Sequence, residues 1–296
     1  MILFGVVGPT GSGKTALAVS LAKHFNGEIV GVDASQIYRG MSIGTGKATE
    51  EELDGVRHHL IDLVDPDSAF DAAQYMRWAD PVITELIGRA VRPILCGGTG
   101  LYLRALLHGL CEAPPVSPRV REALRARIAR GEVEDLHREL EAVDPDAARR
   151  IKPRDGQRLE RALGVFRTTG RALSEWQEEH GFSETRHPAK LIGLEWPRAD
   201  LNTRIEARID RMLQGGWVRE VTALLAEGFD PELASMKALG YTHIARYVRG
   251  EVSLDEARER TIIATRRYAK RQMTWFRAMP EVQWFHGETQ PSIMID

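Results

Sequence analysis

The chain has 296 residues, 43% of them hydrophobic and 28% charged, with a formal net charge of −2. This composition fits one large globular domain or a domain carrying an insertion, and it excludes a polycation, so any grip on nucleic acid must come from local patches. The two cysteines, Cys96 and Cys111, exclude a disulfide framework and fit a reducing, cytoplasmic setting, and no apolar run approaches the ~20 residues needed to span a bilayer.

The first predicted element is a strand over residues 2–7. It reads as a core strand and not as a leader peptide, having no basic segment and no cleavage motif. Gly8-Pro9-Thr10-Gly11-Ser12-Gly13-Lys14-Thr15 follows and fits the phosphate-loop pattern G-x-x-x-x-G-K-[ST] without a mismatch. The apolar spacing of Leu17, Val19, Leu21, Ala22 and Phe25 then predicts a helix. A strand, a glycine loop and a helix N-terminus in that order make a nest of N–H donors for a polyphosphate or pyrophosphate. Lys14 adds a full charge, and Thr15 can place a hydroxyl on Mg²⁺. The loop alone does not say which phosphate compound it holds.

A second strand over 28–32 ends at Asp33-Ala34-Ser35-Gln36. Polar residues just past the carboxyl end of a strand are where open α/β sheets place their chemistry. Asp33 is a candidate Mg²⁺ ligand or general base, and otherwise a turn or helix-cap aspartate; Gln36 can pair with an adenine edge. A third strand is predicted over 59–64, a helix over 70–87, a fourth strand over 93–96 and a helix over 101–110. Asp62, the other candidate for a metal, lies inside an apolar run and reads as structural, as does the pair His58-His59. Between the fourth strand and its helix stands Gly97-Gly98-Thr99-Gly100, whose glycines let backbone approach a ligand closely. The alternation of strands and helices predicts a parallel sheet covered by helices on both faces.

The pattern changes at Glu112-Ala113-Pro114-Pro115. Only helices are predicted from there to about Gly181, over 116–129, 133–143, 147–151, 155–168 and 173–179. This reads as a helical insertion, residues 113–185, in a core of 1–112 and 186–296. Strand signal returns at 191–196, followed by helices over 201–213, 218–226, 235–248 and 254–276 and a last strand over 282–285.

Charge is unevenly spread. Residues 1–112 carry nine Lys/Arg against thirteen Asp/Glu, residues 147–172 eight against two, and residues 258–277 seven against one. A single basic helix is often only a solvated face. Two arginine-dominated runs, with Arg119, Arg121, Arg125 and Arg127, suggest a track for a nucleic-acid backbone. Gln157 and Arg161 lie one turn apart on one predicted helix. Arg204 and Arg208 do so on another, where they can clamp an anion or pair with Glu206 and Asp210.

In order along residues 5–277, the phosphate loop, the stretch 33–40 with Gly44-Thr45-Gly46-Lys47, His58-His59-Leu60-Ile61-Asp62, Gly97-Gly98-Thr99-Gly100-Leu101-Tyr102, residues 157–163, Ala238-Leu239-Gly240-Tyr241 and residues 269–276 resemble the tRNA dimethylallyltransferase (tRNA isopentenyltransferase) family. The resemblance implies a P-loop NTPase-like core with a helical insertion that holds the tRNA anticodon stem-loop. It implies transfer of a dimethylallyl group from dimethylallyl pyrophosphate to N6 of the adenosine 3′ of the anticodon. By motif, Asp33, Thr10 and Arg208 would be catalytic, residues 8–15 would bind pyrophosphate, and Thr15 would hold Mg²⁺. Contacts to tRNA would come from Asp33, Ala34, Ser35, Gln36, Thr99, Arg121, Gln157, Arg158, Leu159, Glu160, Arg161, Lys237, Gly240 and Tyr241. Ala34 stands where the family usually has serine, which puts a role for that hydroxyl in doubt. A cytoplasmic monomer without a membrane partner is expected. A small-molecule P-loop kinase, a prenyltransferase for free AMP or ADP, and an RNA-binding switch without synthetic chemistry are the other readings. The first two leave the basic runs without use, and the third leaves residues 33–36 without a purpose.

Overall fold

Six segments pair in one sheet in the computed structural model, which describes residues 2–181 and 184–288. They are β1 (Leu3–Val7), β2 (Gly27–Val32), β3 (His58–His59), β4 (Arg92–Gly97), β5 (Ala189–Glu195) and β6 (Val282–His286). Their spatial order is β3-β2-β4-β1-β5-β6, and every pairing is parallel. The sheet is therefore the parallel α/β sheet expected from the alternation. Because β4 lies between β1 and β2, the segments leaving the carboxyl ends of these three strands meet at one edge.

The helices between the strands are α1 (Lys14–His24), α2 (Glu50–Leu53), α3 (Ala72–Gly88) and α4 (Gly100–His108). Next come α5 (Pro118–Ala129), α6 (Val133–Val143), α7 (Pro145–Arg150), α8 (Gly156–Thr169) and α9 (Leu173–His180). After β5 follow α10 (Arg198–Gln214), α11 (Trp217–Ala226), α12 (Tyr241–Val248) and α13 (Leu254–Arg277). Among the described residues, no helix is long and apolar enough to cross a membrane.

The chain divides into two compact units, one made of the segments up to Leu107 and from His187 onward, the other His108–Arg186. In the first, Ala18, Leu21 and Ala22 of α1 are buried against Val6, Ile29 and Ile94 of the sheet. Ile205 and Ile209 of α10 meet Ile262 and Ala269 of α13, and Trp217 and Tyr241 close a third cluster over Ile37 and Met41. The second unit is helical, packed around Leu124, Leu136, Leu140, Leu159 and Leu163. Its Asp144, 1% exposed, caps two helices at once, accepting from the N–H groups of Ala147 and Ser174.

Three local expectations fail, the first two for a tertiary reason. The third strand stops after His59. Leu60 and Asp62 take left-handed backbone (φ 63° and 53°), and Leu63 and Val64 bond instead to the Ile37 carbonyl. Lys47 fixes that bend, donating to Asp62 Oδ1 and to the Tyr38 carbonyl, each at 2.6 Å. The helix predicted from residue 235 begins only at Tyr241. Gly240 has φ 89° there, and a Cβ on it would lie 2.2 Å from the Trp217 ring. Residues 50–53, given no element above, form α2, whose Thr49–Glu52 capping box was legible as Thr-x-x-Glu.

Candidate active site

The phosphate loop leaves β1 at Gly8. Its φ is 143°, and a Cβ would sit 2.7 Å from the Leu194 carbonyl, so a side chain there is excluded by both backbone and space. Gly13 precedes α1 in left-handed conformation and offers no side-chain cap, leaving the N-terminal N–H groups to a ligand. The outer wall of the loop is held by α10 and the end of β5. Trp196 Nε1 donates to the Ser12 carbonyl at 3.0 Å and Arg204 Nε to the Gly11 carbonyl at 2.9 Å, with the Arg204 guanidinium 4.1 Å from the Trp196 ring centre. Lys14 folds back onto the Pro9 carbonyl, 2.8 Å away.

Residues 33–36 form a tight turn because Asp33 Oδ1 accepts from the N–H of Ser35 at 2.8 Å and of Gln36 at 3.3 Å. Thr99, from the turn after β4, accepts the Ala34 N–H on its Oγ1 at 2.9 Å. The Gln36 amide donates to the carbonyls of Gly46 and Thr45, at 3.0 and 3.3 Å. Glu220 of α11 pins the loop that bears them: its carboxylate accepts from the N–H groups of Ser42 and Ile43, both at 2.7 Å, and of Gly44 at 3.1 Å. The Tyr241 hydroxyl donates to the same carboxylate at 2.6 Å. Arg208 packs directly on Gly46, where a Cβ would meet its guanidinium.

The charges in this corner are frustrated. Burial, reinforced by Arg208, pushes Lys14 down to about 8, against the pull of Cys96 and Asp33. Burial also lowers Arg208, with Arg211 adding to the effect and Asp33 opposing it. Asp33 is raised by burial in spite of its two backbone bonds and the neighbouring Lys14 and Arg208. Cations that are desolvated and repel one another make a seat for a polyanion, whose arrival neutralises both. A carboxyl with a raised pKa beside that seat is suited to accept a proton.

Thr10, Lys14, Asp33, Gln36, Thr99 and Arg208 thus gather at one edge of the sheet, whereas other expected site residues do not. Tyr241 is fully buried with its hydroxyl committed to Glu220, and Gly240 packs on Trp217, so both support the loop from the core. Lys237 is exposed and pairs with Glu232 at 2.9 Å. In the helical unit, Leu159 is core, and Glu160 is bound by Arg125 at 2.9 Å and Arg121 at 3.6 Å. Arg161 donates to the carbonyls of Ala113 and Pro114, at 3.1 Å each, and Arg158 pairs with Asp155 at 3.2 Å while Gln157 is exposed.

Arg204 and Arg208 do not form one clamp, because Arg204 holds the outside of the phosphate loop. Nor do they pair with Glu206 and Asp210. Those carboxylates are taken from α13, by Arg266 and by a two-bond contact from Arg258 at 2.5 and 2.8 Å. Four cations of the basic run 258–277 are paired in this way or with Glu256 and Glu195, so that run is not a continuous track. Arg267, Lys270 and Arg271 remain exposed near Trp275. Sequence reasoning assigned no role to Glu220 or Trp196. It could have flagged Gln272, an uncharged residue in the basic run, which accepts the Thr10 N–H at 2.8 Å.

The chain matches the family described as IPP transferase over residues 36–279. It is 49% identical over 280 residues to the tRNA dimethylallyltransferase of Syntrophobacter fumaroxidans, covering 95% of this chain and 82% of that one. It is 46% identical over 294 residues to that of Anaeromyxobacter dehalogenans, covering 99% and 98%. Among solved structures it resembles the tRNA isopentenylpyrophosphate transferase of Bacillus halodurans (TM-score 0.71, 39% identity, 97% and 90% covered). It also resembles a eukaryotic dimethylallyltransferase acting on tRNA (TM-score 0.82, 26% identity, 96% and 73% covered).

Proposed function

The chain belongs to the IPP transferase family, and from that premise we propose that it transfers a dimethylallyl group from dimethylallyl pyrophosphate to N6 of the adenosine 3′ of the anticodon in tRNA. It is a tRNA-modifying prenyltransferase. The observation that carries the finer reading is the position of Asp33 beside a phosphate loop whose Lys14, together with Arg208, is desolvated and in want of an anion.

The pyrophosphate lies in the loop 8–15, against backbone N–H groups, Lys14 and Arg208. The N6 lone pair attacks C1 of the allyl group, and the C1–O bond breaks with its electron pair going to pyrophosphate. The N6 proton passes to Asp33. Fixed cations and N–H donors favour the departing charge, and a delocalised allylic centre lowers the barrier further. An exocyclic amine is a weak nucleophile, so the positions of Asp33 and of the adenine matter more than basicity alone. The loop base must leave its stack to reach the site, which costs less for an unpaired base. Gln36 has a free amide oxygen for an adenine edge only while its N–H groups stay on Thr45 and Gly46.

The residues fit a Mg²⁺ carried mainly by pyrophosphate oxygens and water. Thr15 offers a hydroxyl at the start of α1, and among the described residues no group of three His, Cys, Asp or Glu could hold a metal. When bound, the ion would spread the charge of the leaving group. The exposed arginines of the helical unit and Arg267, Lys270 and Arg271 of α13 are assigned to the tRNA backbone.

Labelled dimethylallyl pyrophosphate offered to unmodified tRNA, to AMP and to no acceptor tests this reading. Label is expected on tRNA alone. Label on AMP but not on tRNA would refute it, and ATP consumption without prenyl transfer would favour a kinase.

A further inference from the structure

The phosphate loop and the Asp33 turn leave different strands, yet the transfer needs them in fixed register. Gln272 of α13 is 5% exposed and lies between them. Its Oε1 accepts the Thr10 N–H at 2.8 Å, and its Nε2 donates to the Gly98 carbonyl at 2.9 Å. A Cβ on Gly98 would stand 2.2 Å from that nitrogen, so the carboxamide occupies the space a side chain would need. One turn earlier on α13, Tyr268 lies beside Gln272 and Thr99. Thr99 in turn holds the Ala34 N–H next to Asp33.

We propose that Gln272 is a positioning residue for the prenyl transfer: its buried carboxamide ties Thr10 to Gly98 and so sets the pyrophosphate loop against the Asp33 turn. This rests on the reading of residues 8–15 as the pyrophosphate seat. The direction of the two bonds is what matters. The group must accept from one loop and donate to the other, which an amide does and a carboxylate does not. A carboxylate would face the Gly98 carbonyl with a lone pair and add negative charge beside a polyanion. A protonated carboxylic acid, however, accepts through C=O and donates through O–H, as the amide does.

The test is the affinity for inorganic pyrophosphate with Mg²⁺, by calorimetry on the full chain, for wild type, Gln272→Met and Gln272→Glu, at about pH 8 and pH 5.5. Gln272→Met is expected to weaken pyrophosphate binding at least about ten-fold at both pH values, because two buried backbone groups lose their partner. Gln272→Glu is expected to bind still more weakly at the higher pH and to return to within about three-fold of wild type at the lower one, each compared with wild type at the same pH. Were Gln272 only filling space, Gln272→Met would bind within about three-fold of wild type and Gln272→Glu would recover at the lower pH through loss of its charge alone, and that pattern too overturns the assignment. If both variants bind pyrophosphate as wild type does, or if Gln272→Glu stays equally impaired at the lower pH, the assignment of Gln272 is overturned while the seat stands. If wild type itself fails to bind pyrophosphate, the seat falls, and the assignment with it. Should Gln272→Met not fold, Gln272→Asn, an uncharged amide one methylene too short to bridge Thr10 and Gly98, is read in its place with the same expected loss at both pH values.

Discussion

Tyr241→Phe separates an RNA contact from a structural anchor. The resemblance implies that Tyr241 touches tRNA, but its hydroxyl lies in the core, 2.6 Å from Glu220. Burial first, and then Glu220, push that phenol far above its ordinary range, so it is a permanent donor. The substitution removes one oxygen and leaves the ring on Trp217, 5.7 Å between centres, so no large cavity opens. A hydrogen bond to a charged acceptor contributes about 1.5–3 kcal/mol, and the lower end applies because Glu220 keeps three N–H donors from the loop. A loss of about 1.5–2 kcal/mol in urea unfolding is therefore expected, with tRNA affinity within about three-fold of wild type. Glu220→Gln should cost more, since it takes the charge from all four bonds. The double variant should then show a coupling of about 1–2 kcal/mol between the two positions. Unchanged stability with a ten-fold or greater loss of tRNA affinity, about 1.4 kcal/mol, would refute the anchor and restore the contact.

Asp33→Asn keeps the oxygen that Ser35 and Gln36 bond to, so single-turnover transfer should fall at least about 10²-fold with tRNA affinity nearly unchanged. Because burial raises the Asp33 pKa, the folded chain holds that proton more tightly than the unfolded one and stability falls as pH rises through this window; the Asn variant should be at least as stable as wild type at neutral pH, and wild-type kcat/KM should fall as pH is lowered, with the loss beginning above the ordinary carboxylate range because the base must be deprotonated to act. Lys14, pushed down to about 8, should take up a proton when pyrophosphate binds at about pH 8.5 but not at pH 6.5, read by calorimetry in buffers of different ionisation enthalpy; equal uptake at both would argue against it. Arg271→Ala should lower the salt slope of tRNA binding by about one, whereas Arg258→Ala, which breaks the pair with Asp210, should leave the slope unchanged. Equal slopes for the two variants would mean that ion pairing does not sort the run.

Much of the fold was legible because its signals are local. Apolar runs, the glycine pattern at 8–13 and turn residues at strand ends act within a few positions, and a parallel α/β sheet follows from their alternation. The reach of such signals also explains the errors. The third strand was cut short by Lys47, which sits fifteen positions from the Asp62 it binds, and the start of α12 by the Trp217 ring against Gly240.

What the sequence by itself determined is the chemistry available: a phosphate loop with Lys14 and Thr15, an aspartate at the next strand end, a helical insertion, and enough arginine for RNA. What only the tertiary structure decided is which of those groups are free to act. Arg258 and Arg266 resemble Arg267 and Arg271 in sequence, but the first two face acidic residues of α10 and the others face outward. Tyr241 and Gln272 look like surface residues of polar segments, yet both are buried: the Tyr241 hydroxyl is spent on Glu220, whose carboxylate holds the loop at Ser42, Ile43 and Gly44, and the Gln272 carboxamide on Thr10, 262 positions away. Whether a charge or hydroxyl is exposed or paired depends on the partner that folding brings to it, and such long-range pairing leaves no mark on the local pattern.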